Sequence, residues 1–228
     1  MTSTLITKAF VVLFLAFFYL DAAAVAQSTS TSAVLSVSVF NDVDAPSTLL
    51  TQAEGRASLI LHQAGVSVRW LNCEPVPAAQ AWAERSPSPC SSIVYPEHLS
   101  IRLIAKAPAL PSDVFGQSFL NAAGQGAYSN VYYGRVDAAP AGQVLGTGNL
   151  LGFVMAHEIG HLLLGNDSHS ASGIMCSRWD GHQVRLAANG GVFFSAREGE
   201  SLRARLNGPT FRAARVVSAR QGQGAGPR

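Results

Sequence analysis

Three of the six histidines in this 228-residue chain fall in one short stretch, HEIGHLLLGNDSH (157–169). The apolar residues before and within it, bounded by Gly165, predict a helix from about Asn149 to Leu164. On such a helix His157 and His161 lie one turn apart and project from the same face. Two imidazoles at that spacing can bind one tetrahedral Zn²⁺ without a change in the backbone.

The glutamate beside the first histidine indicates more than metal binding. Glu158 lies about 100° around the helix from His157, so it is poorly placed to bind the same ion. It can instead hydrogen-bond a water in an open position of the metal and act as a general base. The alternative is a buried helix that carries two hydrogen-bonded histidines. That alternative does not explain a carboxylate in so apolar a stretch, because burying a carboxylate without a partner is costly.

The residues after the helix supply a third ligand and a further signal. Gly165 can adopt the positive φ that ends a helix and turns the chain back towards the metal. His169 follows, and Met175 comes six residues later. Residues 157–175 therefore resemble the metzincin clan of zinc endopeptidases, in which HExxHxxGxxH precedes a turn that carries a methionine.

The match departs from the clan pattern in the position of the third ligand. The pattern places glycine at 164 and histidine at 167, where this chain has Leu164 and Asp167. We expect a helix longer by one residue and a longer loop, so that His169 completes the site. The alternative third ligand is Asp167, since some clan members use aspartate at this position.

The resemblance implies an α+β, zincin-like or metzincin-like fold, with a mixed twisted sheet, an active-site helix and a small C-terminal lobe. It implies one catalytic Zn²⁺, with Met175 on the floor beneath the histidines. In the clan an edge strand before the active-site helix pairs with the substrate backbone. The candidate here is AYSNVYY, which contains Tyr128, Tyr132 and Tyr133. Simple packing in the sheet explains any one of these tyrosines equally well.

Hydrophobic periodicity predicts the elements around this helix. Alternating or β-rich runs predict four strands, a helical repeat followed by Gly65 predicts an early helix, and residues 107–126 are expected to be an irregular loop. The predicted strands are 34–40, 66–71, 99–105 and 127–136, and the other helices are 48–64 and 195–207. We assign a single catalytic domain to 27–207 and a disordered tail to 208–228.

The N-terminus predicts export. Lys8 precedes the apolar run AFVVLFLAFFYL, and Ala24-Val25-Ala26 has the small-x-small form of a signal-peptidase site. We expect residues 1–26 to be a signal peptide and the mature protein to be secreted or periplasmic, with a retained membrane anchor as the alternative. Export permits disulfides, and Cys73 and Cys90 are close enough in sequence to pair across a proline-rich loop.

Together these features predict an exported, zinc-dependent endopeptidase with a peptide or protein substrate, acting as a monomer. The net charge of +2 is too small for a nucleic-acid interface. The alternative is a zinc-stabilised binding module that keeps the metal but cleaves no peptide. Glu158 favours the enzyme, because metal binding alone does not need a carboxylate there.

Overall fold

The computed structural model describes residues 33–73, 89–90 and 92–208. Five strands and six helices are present in these ranges. The strands are β1 (Ala33–Asn41), β2 (Val66–Cys73), β3 (His98–Ile104), β4 (Gly116–Phe119) and β5 (Tyr128–Tyr132). The helices are α1 (Ser47–Gln63), α2 (Tyr133–Ala138), α3 (Pro140–Leu145), α4 (Thr147–Leu164), α5 (Gly181–Ala188) and α6 (Ala196–Leu206).

The strands form one mixed sheet in the order β2-β1-β3-β5-β4. Strands β2, β1, β3 and β5 are parallel to one another, and β4 runs antiparallel to β5. In β1 the alternating residues Leu35, Val37 and Val39 are almost completely buried. They belong to the same core as the buried faces of α1 and α4, so the main core lies between one face of the sheet and these two helices.

Helix α4 is buried on nearly all sides. Among its apolar residues, Leu150, Leu151 and Ile159 have no exposed surface. The helix ends at Gly165, whose φ of 92° is a conformation that glycine adopts without steric cost. The sequence prediction of this helix and of the residue that ends it is confirmed.

The C-terminal part of the described chain closes the structure beneath α4. Helix α6 begins with a capping box in which the Ser195 hydroxyl accepts from the amide of Glu198 and the Glu198 carboxylate accepts from the amide of Ser195. The Arg203 guanidinium donates to the Ala64 carbonyl at the end of α1. Arg205 donates from Nε to the Leu163 carbonyl, so α6 is attached to both core helices.

The sequence predictions differ from the structure between β3 and α4. The segment 107–126, expected to be irregular, contains the edge strand β4. The predicted strand 127–136 is β5 only as far as Tyr132, and the chain then continues as α2. Because β5 is paired on both sides, by β3 and β4, the prediction that it forms the edge of the sheet is wrong.

The disulfide between Cys73 and Cys90 is present, as predicted. The predicted signal peptide and the tail from 209 onward lie outside the described residues. Among the helices that the structure does describe, none combines the length and the hydrophobicity needed to cross a bilayer.

Candidate functional site

The three histidines of the sequence motif meet at one end of α4. One ring nitrogen from each of His157, His161 and His169 lies within 4.8 Å of the other two. His157 and His161 are half-buried on the helix, whereas His169 is exposed on the loop that follows Gly165. A cluster of imidazole nitrogens at this spacing is a donor set suited to Zn²⁺.

The first two histidines are oriented by hydrogen bonds from their other ring nitrogens. His157 Nδ1 is 2.7 Å from the carbonyl oxygen of Ile174. Because a carbonyl only accepts, His157 carries its proton on Nδ1 and presents the lone pair of Nε2. His161 Nδ1 is 2.7 Å from the Ser168 hydroxyl, whose oxygen can accept a hydrogen bond from Nδ1–H in the same way. Partners of this kind hold metal-binding histidines in the required tautomer and orientation.

The spacing of the two helical histidines fits a shared ion. Their Nε2 atoms are 3.0 Å apart. Two nitrogens bound at about 2.0–2.1 Å to one tetrahedral Zn²⁺ lie roughly 3.3 Å apart. A small side-chain rotation therefore suffices to accommodate the ion between His157 and His161.

Both helical histidines also favour the neutral form that a metal ligand needs. Burial, together with the neighbouring His157 and His169, lowers the pKa of His161 to about 3. Burial likewise lowers the pKa of His157, while its hydrogen bond to the Ile174 carbonyl opposes that shift. Neutral imidazoles can bind a cation without first losing a proton.

Glu158 is almost completely buried, at 3% exposure, between α4 and the edge strand. The Ser118 hydroxyl donates to Glu158 Oε2 at 2.7 Å. Burial raises the pKa of Glu158 and the hydrogen bond from Ser118 opposes the rise, which leaves the pKa at about 7. Gly116 lies so close that a Cβ on it would be 2.4 Å from Glu158 Oε1. The edge strand therefore contacts the carboxylate at both of its inward-facing positions.

Met175 lies in the turn that follows His169 and is completely buried. Its Sδ atom would be 2.4 Å from a Cβ placed on Gly160, the residue just before His161. A glycine inside a helix costs about 1 kcal/mol relative to alanine, and here it lets the methionine pack directly on the helix backbone. The turn is closed by the Ser170 amide, which donates to the Met175 carbonyl.

A cleft of about 270 Å³ lies in front of these groups. Its lining also includes Cys176, Ser177 and Trp179, besides the three histidines, Glu158 and residues 116–118 of β4. The ring of Trp179 packs on that of Phe153, with 5.2 Å between centroids, and so anchors this part of the lining to α4. The lining therefore combines Trp179 with β4, whose outer edge pairs with no other strand among the described residues.

The structure separates the predicted site residues into two groups. His157, Glu158, His161, His169 and Met175 come together at the end of α4. The remaining candidates lie elsewhere: Asp167 is exposed in the loop with a φ of 54°, Tyr128 is exposed, Tyr132 is buried in the sheet and Tyr133 is in α2. Of the two candidate third ligands, the structure brings His169 into the cluster.

Sequence reasoning missed the residues that surround the cluster. Ser118 and Gly116 lie in the segment expected to be irregular, and the sequence analysis assigns no role to Ser168. Arg135 was also missed: its guanidinium donates to the carbonyls of Leu110, Pro111 and Val114, which precede β4. The contacts of Gly116, Ser118 and Arg135 join segments that are distant in sequence, so a local pattern carries no signal for them.

Comparison with known proteins finds similar folds among solved structures. Neither a scan against protein-family models nor a search of curated proteins finds a match. Among solved structures, the fold is similar to a zinc-dependent peptidase from Methanocorpusculum labreanum, with 14% identity, a TM-score of 0.47 and coverage of 73% of this chain and 99% of that one. It is also similar to archaemetzincin from Methanopyrus kandleri, with 18% identity, a TM-score of 0.45 and coverage of 77% and 97%.

Proposed function

We propose that this chain is a zinc-dependent endopeptidase of the metzincin type. His157, His161 and His169 would hold one Zn²⁺, and Glu158 would act as the general base. The observation that carries the proposal is the placement of three imidazole nitrogens within 4.8 Å of each other, next to a buried carboxylate, in one cleft. A purely structural metal site would need no such carboxylate and is usually closed by a fourth protein ligand.

Each residue has a role in peptide hydrolysis. Bound Zn²⁺ would polarise the scissile carbonyl and lower the pKa of a water molecule. Glu158 accepts a proton from the attacking water and then delivers it to the nitrogen of the leaving amine. The hydrogen bonds at Nδ1 of His157 and His161 keep both imidazoles in the orientation needed for binding. Met175 supports the helix from below by its contact with Gly160.

The position of β4 supports cleavage within a chain. Among the described strands, β4 pairs with β5 only and has a free edge that lines the cleft. An extended peptide can add to such an edge as a further strand, which would place a peptide bond in front of the histidines. We therefore assign the pairing with the substrate backbone to Gly116–Phe119 rather than to the tyrosine-rich strand.

We also propose that the protein is exported as a monomer after cleavage behind Ala26. The disulfide between Cys73 and Cys90 supports export, since such bonds persist in oxidising compartments. N-terminal sequencing of the protein from its native host should begin at Gln27. A sequence that begins at Met1 would instead support the membrane anchor.

Metal analysis with matched variants tests the proposed site. The purified protein should contain about one zinc per chain and cleave peptides in a chelator-sensitive way. His169→Ala should lose most of the zinc. Asp167→Asn is the control, because asparagine tolerates the positive φ of that residue and removes only the charge. Zinc lost in Asp167→Asn and kept in His169→Ala would assign the third ligand to Asp167, and zinc without cleavage would favour a binding module.

A further inference from the structure

Ser118 connects the edge strand to the buried carboxylate. It occupies an inward-facing position of β4, two residues after Gly116, and its hydroxyl is 2.7 Å from Glu158 Oε2. The same hydroxyl is 3.0 Å from the backbone carbonyl of Glu158. Both sites only accept when the carboxylate is ionised, so the proton of Ser118 points at Glu158.

A second serine fixes the direction of that hydroxyl. Ser129 stands directly opposite Ser118 in the pairing of β4 with β5, and the two Oγ atoms are 2.7 Å apart. Ser118 has one proton, and it is engaged by Glu158. The proton between the two serines must therefore come from Ser129, which is 2% exposed. The result is a chain of donors that runs from Ser129 to Ser118 to Oε2 of Glu158.

We propose that Ser118 is the positioning residue of the general base, and that Ser129 orients Ser118. This inference rests on the function proposed above. The hydrogen bond ties Oε2 to the sheet and leaves Oε1, the atom next to Gly116, as the oxygen directed to exchange a proton with water and the leaving amine. Since Ser118 also belongs to the strand proposed to pair with substrate, one strand aligns both the peptide and the base that acts on it.

The expected consequences separate positioning from binding and from folding. Ser118→Ala should lower kcat for peptide hydrolysis about 10- to 100-fold, because a buried charged hydrogen bond that holds the base is lost, with KM and zinc content unchanged. Ser118→Thr keeps a hydroxyl and should restore most of the activity. Ser129→Ala should give a smaller loss of kcat in the same direction.

Ser100→Ala is the matched control. Ser100 is a buried serine of β3, at 5% exposure, that stands opposite Tyr128 in the sheet and does not line the cleft of Glu158, so its removal should leave kcat at the wild-type value. This variant tests whether the loss of any buried serine hydroxyl from the sheet is enough to reduce activity.

A double-mutant cycle supplies a readout that does not depend on activity. In zinc-loaded protein, Ser118→Ala and Glu158→Ala should be non-additive by about 5- to 30-fold in the equilibrium constant of unfolding. Ser100→Ala and Glu158→Ala should be additive. Wild-type kcat in Ser118→Ala, or additivity of the first pair, would overturn the inference while leaving the proposed peptidase intact. A wild-type protein that binds zinc but cleaves no peptide would overturn the proposed function itself.

Discussion

Replacing Gly116 by alanine should inactivate the protein without unfolding it. The added Cβ would be 2.4 Å from Oε1, 2.7 Å from Cδ and 2.8 Å from Cγ of Glu158, whereas ordinary contact begins at 3.4 Å. The carboxylate must therefore move by about 1 Å, and a displacement of that size in a catalytic group can cost about 10²-fold in rate. The extra methyl group should also lower the free energy of unfolding by about 1–3 kcal/mol.

The assay compares kcat, zinc content and chemical denaturation in Gly116→Ala, wild type and Gly55→Ala. Gly55 lies on the exposed side of α1, and a Cβ there meets nothing within 4 Å. Gly55→Ala should therefore keep wild-type kcat and raise stability by about 1 kcal/mol, the usual gain in a helix interior. We expect zinc to be retained in both variants. Wild-type kcat in Gly116→Ala would refute the assignment of Glu158 as a base held against the edge strand.

Three further predictions concern stability and the wall of the cleft. Gly160→Ala should lower the free energy of unfolding by about 1–3 kcal/mol in denaturant titrations, because the new Cβ would overlap Met175; an unchanged midpoint would contradict this packing. Burial lowers the pKa of His98. A hydrogen bond from the ring to a backbone carbonyl raises it in part, and the charge of nearby Arg69 lowers it. The neutral ring is thus favoured on folding, so its contribution to stability is complete above the unfolded pKa of about 6.5 and is lost as the pH falls below it. His98→Gln should reduce the loss of unfolding free energy between pH 7.5 and pH 5. An equal loss in the variant and the wild type would refute the lowered pKa of His98. Arg135→Lys should speed amide hydrogen exchange in residues 110–114, since lysine cannot reproduce the several hydrogen bonds that the guanidinium donates to the carbonyls of this segment. Unchanged exchange would show that these hydrogen bonds do not order the segment.

The sequence predicted the elements that are defined by their own periodicity. Helices α1 and α4 and strands β1 and β2 each carry a regular apolar pattern that local reasoning detects. The two helical histidines needed only the pitch of a helix to be placed on one face. His169 was expected in the cluster from the displacement of Gly165, and the structure places it there.

The edge strand was missed because nothing local marks it as a strand. Gly116–Phe119 is four residues long, contains glycine and no β-branched residue, and is ordered by pairing with β5. The aromatic run after Tyr128 had the opposite problem. Its β propensity continues past Tyr132, but the chain is helical from Tyr133 onward. Gly134, in the first turn of this helix, lies close to the Ala105 carbonyl.

Helix α5 shows a signal that was available and not used. Asp180 precedes it, and its carboxylate accepts from the amides of His182 and Gln183, which is ordinary N-cap chemistry. Hydrogen bonding to these amides lowers the pKa of Asp180. The hydrogen bonds between Ser118 and Glu158 and between His161 and Ser168 leave no such local signal in the sequence, because they depend on the tertiary arrangement.

The most direct test of the account is peptide cleavage by Glu158→Gln beside the wild-type protein, with zinc measured in both samples. Glutamine keeps the size of the side chain but cannot take up the proton of the attacking water. The account predicts that both proteins hold about one zinc per chain and that the variant is about 10²- to 10⁴-fold slower. Equal cleavage rates at equal zinc content would contradict the central claim that this buried carboxylate is the catalytic base.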